Sequence, residues 1–132
     1  MKVAIVGGGS TYSPELVSGL AERAMTLGID EVVLQDLRPE RLEPVGAFCQ
    51  RMSASMGASW VLRTTGDLDE ALEGADFVVI QIRVGGQEGR HQDIRLGLDR
   101  QLIGQETTGV GGFAKALRTI PVVLALAERV AA

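Results

Sequence analysis

The first sixteen residues constrain the fold more than any other stretch. Lys2-Val3-Ala4-Ile5-Val6 is a short apolar run that ends directly in Gly7-Gly8-Gly9-Ser10-Thr11, and a helical pattern follows. A continuous apolar run of this length fits a strand buried on both faces of a parallel sheet. A parallel strand needs a crossover connection, so the next element is a helix and the one after it another strand. Ser13 is the expected N-cap and Pro14 the first helical residue. Leu16, Val17, Leu20 and Ala24 repeat at helical spacing, and Gly28 closes the far end.

The alternation continues. Glu31 to Asp36 reads as the second strand, and Pro39 opens a helix with Leu42, Val45, Phe48, Cys49, Met52 and Met56 on its inner face. Trp60 to Thr65 is a third strand, and Asp67-Leu68-Asp69-Glu70 has the spacing of a capping box for a short helix ended by Gly74. Ala75 to Ile82 is the fourth strand. From Arg83 to Gly112 the pattern dissolves into glycines and charges, which reads as a long functional loop. Phe113 to Ala132 returns to helical period, with Pro121 expected to kink it or to begin a second helix. The order β-α-β-α-β-α-β-α with right-handed crossovers predicts a Rossmann-like α/β fold, a parallel sheet ordered 3-2-1-4 with helices on both faces. Residues 1–132 are thus a partial Rossmann domain of about four strands, two short of the complete six.

Composition excludes several classes of function. Thirteen Lys and Arg against 17 Asp and Glu give a net charge of −4, the wrong sign for a nucleic-acid binder or a polybasic membrane anchor. No uninterrupted apolar run approaches the roughly 18 residues of a spanning helix, so no membrane partner is expected. The single cysteine, Cys49, cannot form an internal disulfide, and a reducing cytoplasm is the expected compartment. Cys49 reads as a small buried apolar residue. With one His and one Cys, no His pair, His/Cys metal set or CxxC motif can be complete.

Strand, glycine cluster and helix in that order form the context of a dinucleotide-binding loop. Glycine lets the backbone turn tightly beside a pyrophosphate, and the helix start presents amides to it. The third glycine of G-x-G-x-x-G is missing, because Tyr12 stands at the sixth position. Asp36, at the end of the second strand, is placed to accept the ribose hydroxyls of NAD and to repel the 2′-phosphate of NADP, while Arg38 could reach that phosphate or stack on adenine. A generic tight turn with Asp36 as a helix cap is the plainer alternative.

The second glycine-rich region is more particular. Ile82-Arg83-Val84-Gly85-Gly86-Gln87-Glu88-Gly89-Arg90-His91-Gln92-Asp93, then Ile103-Gly104-Gln105-Glu106-Thr107-Thr108-Gly109-Val110-Gly111-Gly112-Phe113 and Ala116-Leu117-Arg118-Thr119-Ile120-Pro121, resembles glycoside hydrolase family 4. Val6 to Leu16 carries the same resemblance. Thr108, where the α-glucosidase branch commonly has cysteine, makes the chain more similar to the 6-phospho-β-glucosidase branch. The resemblance implies hydrolysis of a 6-phospho-β-glucoside or phosphorylated disaccharide by transient oxidation at C3, loss of the C2 proton, elimination at C1, addition of water and return of the hydride. It implies NAD and a divalent metal, usually manganese, and a homo-oligomer for the intact protein. NAD-dependent hydrolysis also removes any need for paired carboxylates at glycosidase spacing.

By the same resemblance, Gly7, Gly9, Ser10 and Thr11 match the pyrophosphate loop and Asp36 the ribose acid. Arg83 and Val84 lie just past the fourth strand, at the carboxyl edge where a cofactor is held. Arg90 matches the arginine that grips the sugar 6-phosphate, a task suited to a planar, permanently charged fork of donors. A solvated loop cation is the alternative there. Glu106 matches a carboxylate near the metal and the sugar hydroxyls, a substrate contact and not itself a metal ligand, or it is simply a favourable charge ahead of a helix. Asp93 is expected to anchor the loop, and Ile94 stands where the family commonly has glutamate. His91 does not match the family's metal-binding histidine and reads as a surface residue. Tyr12 does not correspond to the catalytic base, so no catalytic or metal-binding residue is expected on this chain, and the isolated chain is expected to be inactive. Residues from about 85 to 105 are expected to be poorly ordered, because a loop that wraps absent structure has little to bury. A lactate/malate dehydrogenase-like oxidoreductase and a non-catalytic nucleotide-binding module are the rival readings.

Overall fold

The computed structural model describes residues 1–131, which fall into two compact units, Met1–Ile82 and Arg83 onward. In the first unit four parallel strands, β1 (Lys2–Val6), β2 (Glu31–Gln35), β3 (Val61–Thr65) and β4 (Phe77–Ile80), form one sheet in the order β3-β2-β1-β4. This is the expected topology. β1 pairs with β2 from Lys2 opposite Glu31 to Val6 opposite Gln35, and with β4 from Val3 opposite Phe77 to Val6 opposite Ile80. The two inner strands carry the core: Ala4, Ile5, Val32, Val33 and Leu34 are almost wholly buried. β3 and β4 are edges, and β4 is only half-buried along Val78, Val79 and Ile80.

The connections are α1 (Ser13–Ala21), α2 (Ala24–Leu27), α3 (Pro39–Ser55) and α4 (Leu68–Leu72). The expected first helix is thus two. Gly28 closes the second in a left-handed conformation, and its amide returns to the Ala24 carbonyl. α1 packs on α3, whereas α4 lies against β1 and β2. The crossovers from β1 to β2 and from β2 to β3 run one way across the sheet and that from β3 to β4 runs back. With right-handed crossovers, α4 therefore covers the opposite face. Asp67 caps α4 as its spacing predicts, Oδ1 accepting from the Asp69 and Glu70 amides. On α3, Leu42 and Cys49 are buried, but Phe48 is about half exposed, and Met56, just past the helix end, is also partly open to solvent. Gly46 and Ser53 complete the buried stripe in their place.

The second unit corrects the reading of residues 83–112. The stretch is not a loop: residues Gly86–Leu98 form α5, thirteen residues long, and Gly109–Ala131 form α6, which starts four residues before Phe113. Within 85–105, the stretch expected to be poorly ordered, residues Gly86–Leu98 form this helix. Helical periodicity is invisible in α5 because its inward positions are Gly89, Asp93 and Gly97 rather than apolar residues. The glycines serve close helix packing: a Cβ on Gly111 would lie 2.6 Å from the Asp93 carbonyl oxygen. α6 runs through Pro121 as one element, at an exposed position where water can take the carbonyl that the missing amide leaves free. It is also long and apolar enough to cross a membrane by length and composition alone. The sequence expectation that no apolar run reaches the length of a spanning helix is corrected for α6, judged by length and composition.

Candidate functional site

In the first unit the chain leaves β1 through Gly7, at φ +89, and folds back on the sheet. Both the Gly7 and Gly8 amides donate to the Gln35 carbonyl, at 2.8 and 2.7 Å. Little room is left for a side chain: a Cβ on Gly7 would stand 2.5 Å from the Gln81 carbonyl oxygen. Ser13 lies inside α1 and does not cap it. Its buried hydroxyl donates to the Gly8 carbonyl at 2.7 Å and accepts from Gln81 Nε2 at 2.7 Å, so it pins the loop to the end of β4. Gln81 also donates to the Gly7 carbonyl. Sequence reading passed over this Ser13–Gln81 lock. The polar Gln81 interrupting an apolar strand was its one visible signal.

Asp36 reaches back to the same loop. Its Oδ2 accepts from the Gly9 amide at 2.9 Å and its Oδ1 from the Arg38 amide at 3.1 Å. Each carboxylate oxygen retains a lone pair, so the group can still take hydroxyl donors. The Thr11 amide donates to no protein acceptor among the described residues, and the Ser10 and Thr11 side chains border it at the entry to α1. A glycine-tight turn, a free amide at a helix start and a carboxylate at the next strand end can hold a dinucleotide.

In the second unit Glu106 gathers cations. Arg83 Nη1 lies 2.6 Å from its Oε2, Arg90 Nε 3.2 Å from its Oε1, and Lys115 Nζ 3.6 Å from Oε2. Partial burial pushes the Glu106 carboxyl up, but the Arg83 hydrogen bond and the charges of Arg83, Lys115 and Arg90 outweigh it and hold the group below the usual carboxylate range. One carboxylate among three cations leaves a net positive cluster, the electrostatics of an anion site. Arg83 and Arg90 were read from sequence for different ligands, yet they meet on one carboxylate. Lys115 was missed because nothing in its apolar surroundings marks it.

Beneath this cluster Arg118 forms a two-pronged pair with Asp93, Nη1 to Oδ1 at 3.1 Å and Nη2 to Oδ2 at 2.6 Å. Asp93 therefore anchors the segment, as expected. His91 is exposed on α5, not in a loop, and Tyr12 is 69% exposed. Among the described residues no three His, Cys, Asp or Glu side chains come together as metal ligands. Cys49 lies in the core, where burial pushes its thiol pKa up.

The four-stranded parallel sheet ordered β3-β2-β1-β4 defines part of a Rossmann-type fold. The family model for family 4 glycosyl hydrolases matches residues 2–132, and the chain belongs to that family. It is 43% identical over 130 residues to a probable 6-phospho-beta-glucosidase of Bacillus subtilis and 42% identical over 132 residues to the 6-phospho-beta-glucosidase of Escherichia coli. These alignments cover 97% and 98% of this chain but 29% of each relative, so the chain spans less than a third of their length. The phospho-alpha-glucosidase PagL of Clostridium acetobutylicum is 36% identical over 130 residues, 97% of this chain and 29% of the relative. Among solved structures, the Thermotoga maritima 6-phospho-beta glucosidase with manganese, NAD+ and glucose-6-phosphate superposes with a TM-score of 0.92 at 39% identity, covering 98% of this chain and 31% of that one.

Proposed function

We propose that this chain is the NAD-binding part of a 6-phospho-β-glucosidase that also carries the first contacts to the sugar phosphate. The observation that carries the reading is the Glu106 cluster: Arg83, Arg90 and Lys115 converge on one carboxylate in a chain that otherwise holds a dinucleotide loop. The solved Thermotoga maritima relative, which holds both NAD+ and glucose-6-phosphate, supports it. The higher identity to the β-glucosidases named above than to PagL supports the β branch.

In this reading Gly7, Gly9, Ser10 and Thr11 form the loop around the pyrophosphate, which takes donors from the Thr11 amide and the Ser10 and Thr11 hydroxyls, and Asp36 accepts the adenosine ribose hydroxyls. Arg83 and Val84 border the cofactor just past β4, Arg90 takes the 6-phosphate, and Glu106 takes sugar hydroxyls. The loop residues fit NAD: the free Thr11 amide and the still-available lone pairs of Asp36 are what the dinucleotide needs. Bound NAD would supply a reversible hydride acceptor for the sugar, while the residues of this chain bind and orient. The divalent metal of the family has no ligand set among the described residues, and no step on these residues runs through it.

Titration of the chain with NAD, glucose 6-phosphate and glucose, followed by backbone and arginine Nε NMR signals, tests the reading. NAD is expected to shift residues 7–12 and Asp36, and glucose 6-phosphate to shift Arg83 and Arg90. Glucose alone is expected to shift neither, and Arg90→Met should abolish the sugar phosphate response. No response to either NAD or glucose 6-phosphate would overturn it.

A further inference from the structure

The second unit contains two charged layers, and the lower one has no part in ligand binding as read above. Asp93 is a buried carboxylate, 2% exposed, on an otherwise polar helix. Its partner Arg118 donates to both carboxylate oxygens through its two Nη atoms, and its Nε donates to the Val84 carbonyl at 2.9 Å. The backbone is shaped around this guanidinium. Gly85, at φ +83, would place a Cβ 2.9 Å from Arg118 Nε, and one on Gly89 would stand 3.2 Å from Nη2. Any side chain at either position would push the guanidinium aside.

The spacing ties this pair to the upper layer. Asp93 lies three residues after Arg90 on α5, and Arg118 three residues after Lys115 on α6, so each member of the buried pair shares a helix face with a cation of the Glu106 cluster. Val84, held by its carbonyl, follows Arg83 directly. One guanidinium therefore fixes the backbone beside Arg83, the face of α5 that bears Arg90 and the face of α6 that bears Lys115. A charge buried this deeply is costly unless paired, and a bidentate arginine pair fixes direction as well as distance.

We infer that Arg118 is a positioning residue: through Asp93 and the Val84 carbonyl it sets the convergence of Arg83, Arg90 and Lys115, and so the affinity for the sugar phosphate, without touching the ligand. As a claim about phosphate affinity this rests on the function proposed above. As a claim about side-chain position it stands alone. A lysine at 118 offers one point charge and cannot make two parallel bonds to Asp93 together with the third to Val84.

The test compares the chain with its Arg118→Met, Arg118→Lys and Asp93→Asn variants. Hydrogen exchange of the amides of residues 84–90 and the arginine Nε signals of Arg83 and Arg90 are recorded without ligand, and NAD and glucose 6-phosphate are then titrated. Arg118→Met and Asp93→Asn are expected to speed exchange at 84–90, to move both arginine signals, and to weaken glucose 6-phosphate at least about tenfold with NAD affinity unchanged, as lost second-layer support commonly does. Arg118→Lys should fall between. Unchanged arginine signals and exchange in Arg118→Met, or parallel loss of both ligands, would overturn the inference. If no version of the chain responds to glucose 6-phosphate but Arg83 and Arg90 still move in Arg118→Met, positioning stands and the proposed function falls.

Discussion

Three glycines of the first unit form a series in which backbone conformation and available space vary separately. Gly19 lies inside α1 at ordinary φ with no atom within 4 Å of an added Cβ. Gly28 is equally open but sits at φ +65, and Gly7 sits at φ +89 with the Gln81 carbonyl oxygen 2.5 Å from the Cβ position. Alanine at 19 removes freedom from the unfolded chain without strain and is expected to stabilise by about 0.4–1 kcal/mol. Alanine at 28 meets only the left-handed penalty, roughly 1–2 kcal/mol. Alanine at 7 adds an overpacking cost of roughly 1–3 kcal/mol against backbone that cannot swing away, giving about 2–5 kcal/mol in total. Trp60, the only tryptophan, is 8% exposed in the core of the first unit, so its fluorescence in a urea titration reports this unit alone. With a slope of about 1–2 kcal/mol per molar urea, the midpoint should rise by a few tenths molar for Gly19→Ala, fall by about 1 M for Gly28→Ala and fall by about 2 M or more for Gly7→Ala. Equal midpoints for the last two variants would refute the claim that contact with Gln81, and not the turn conformation alone, demands glycine at the head of the cofactor loop.

Other outcomes follow from the second unit and the core. Gly111→Ala, which drives a Cβ onto the Asp93 and Gln105 carbonyls, should melt α5 and α6 by circular dichroism while the Trp60 transition stays in place. The Glu106 carboxyl is depressed in the folded state, so its contribution to stability is fully present above the unfolded value of about 4.3 and is lost as pH falls through the lower folded value. Amide exchange in residues 83–118 should accordingly be flat from pH 7 to about 5 after correction for intrinsic rates. It should quicken below about pH 4 in the wild type, and Glu106→Gln should lack that acid step. Cys49 is wholly buried with its thiol pushed up, so a water-soluble disulfide reagent should react with it only at the rate at which the first unit unfolds.

The sheet was legible because parallel pairing writes itself into sequence. β1 and β2 are short apolar runs closed by Gly7 and Asp36, and each connecting segment has helical period or a cap such as Asp67. The edge strands were read too long, Ala75–Ile82 against Phe77–Ile80, because a strand paired on one side ends where its neighbour does. α5 was illegible for a definite reason. Periodicity detects a helix that buries apolar side chains, and α5 buries two glycines and a carboxylate, Gly89 and Asp93 against Arg118 of α6 and Gly97 against residues 103 and 104. The apolar side of α6 is instead exposed at Phe113, Leu117, Ile120 and Leu124.

The same inversion bears on the role of the second unit. A helix pair held by ordinary apolar packing could shift by a fraction of an ångström at little cost, since hydrophobic contact has no direction. Here Gly111 brings the two backbones into contact, and the fit between the helices is completed by a bidentate ion pair whose geometry tolerates little movement. Such a pairing is a poor source of stability, because removing two charges from water costs nearly what their attraction returns. It is a good way to hold Arg83, Arg90 and Lys115 close around one carboxylate. The glycines that made this region look like a loop and the charges that hid its helix are what a rigid phosphate-binding surface requires, and the weakness of the sequence signal follows from the function proposed for it.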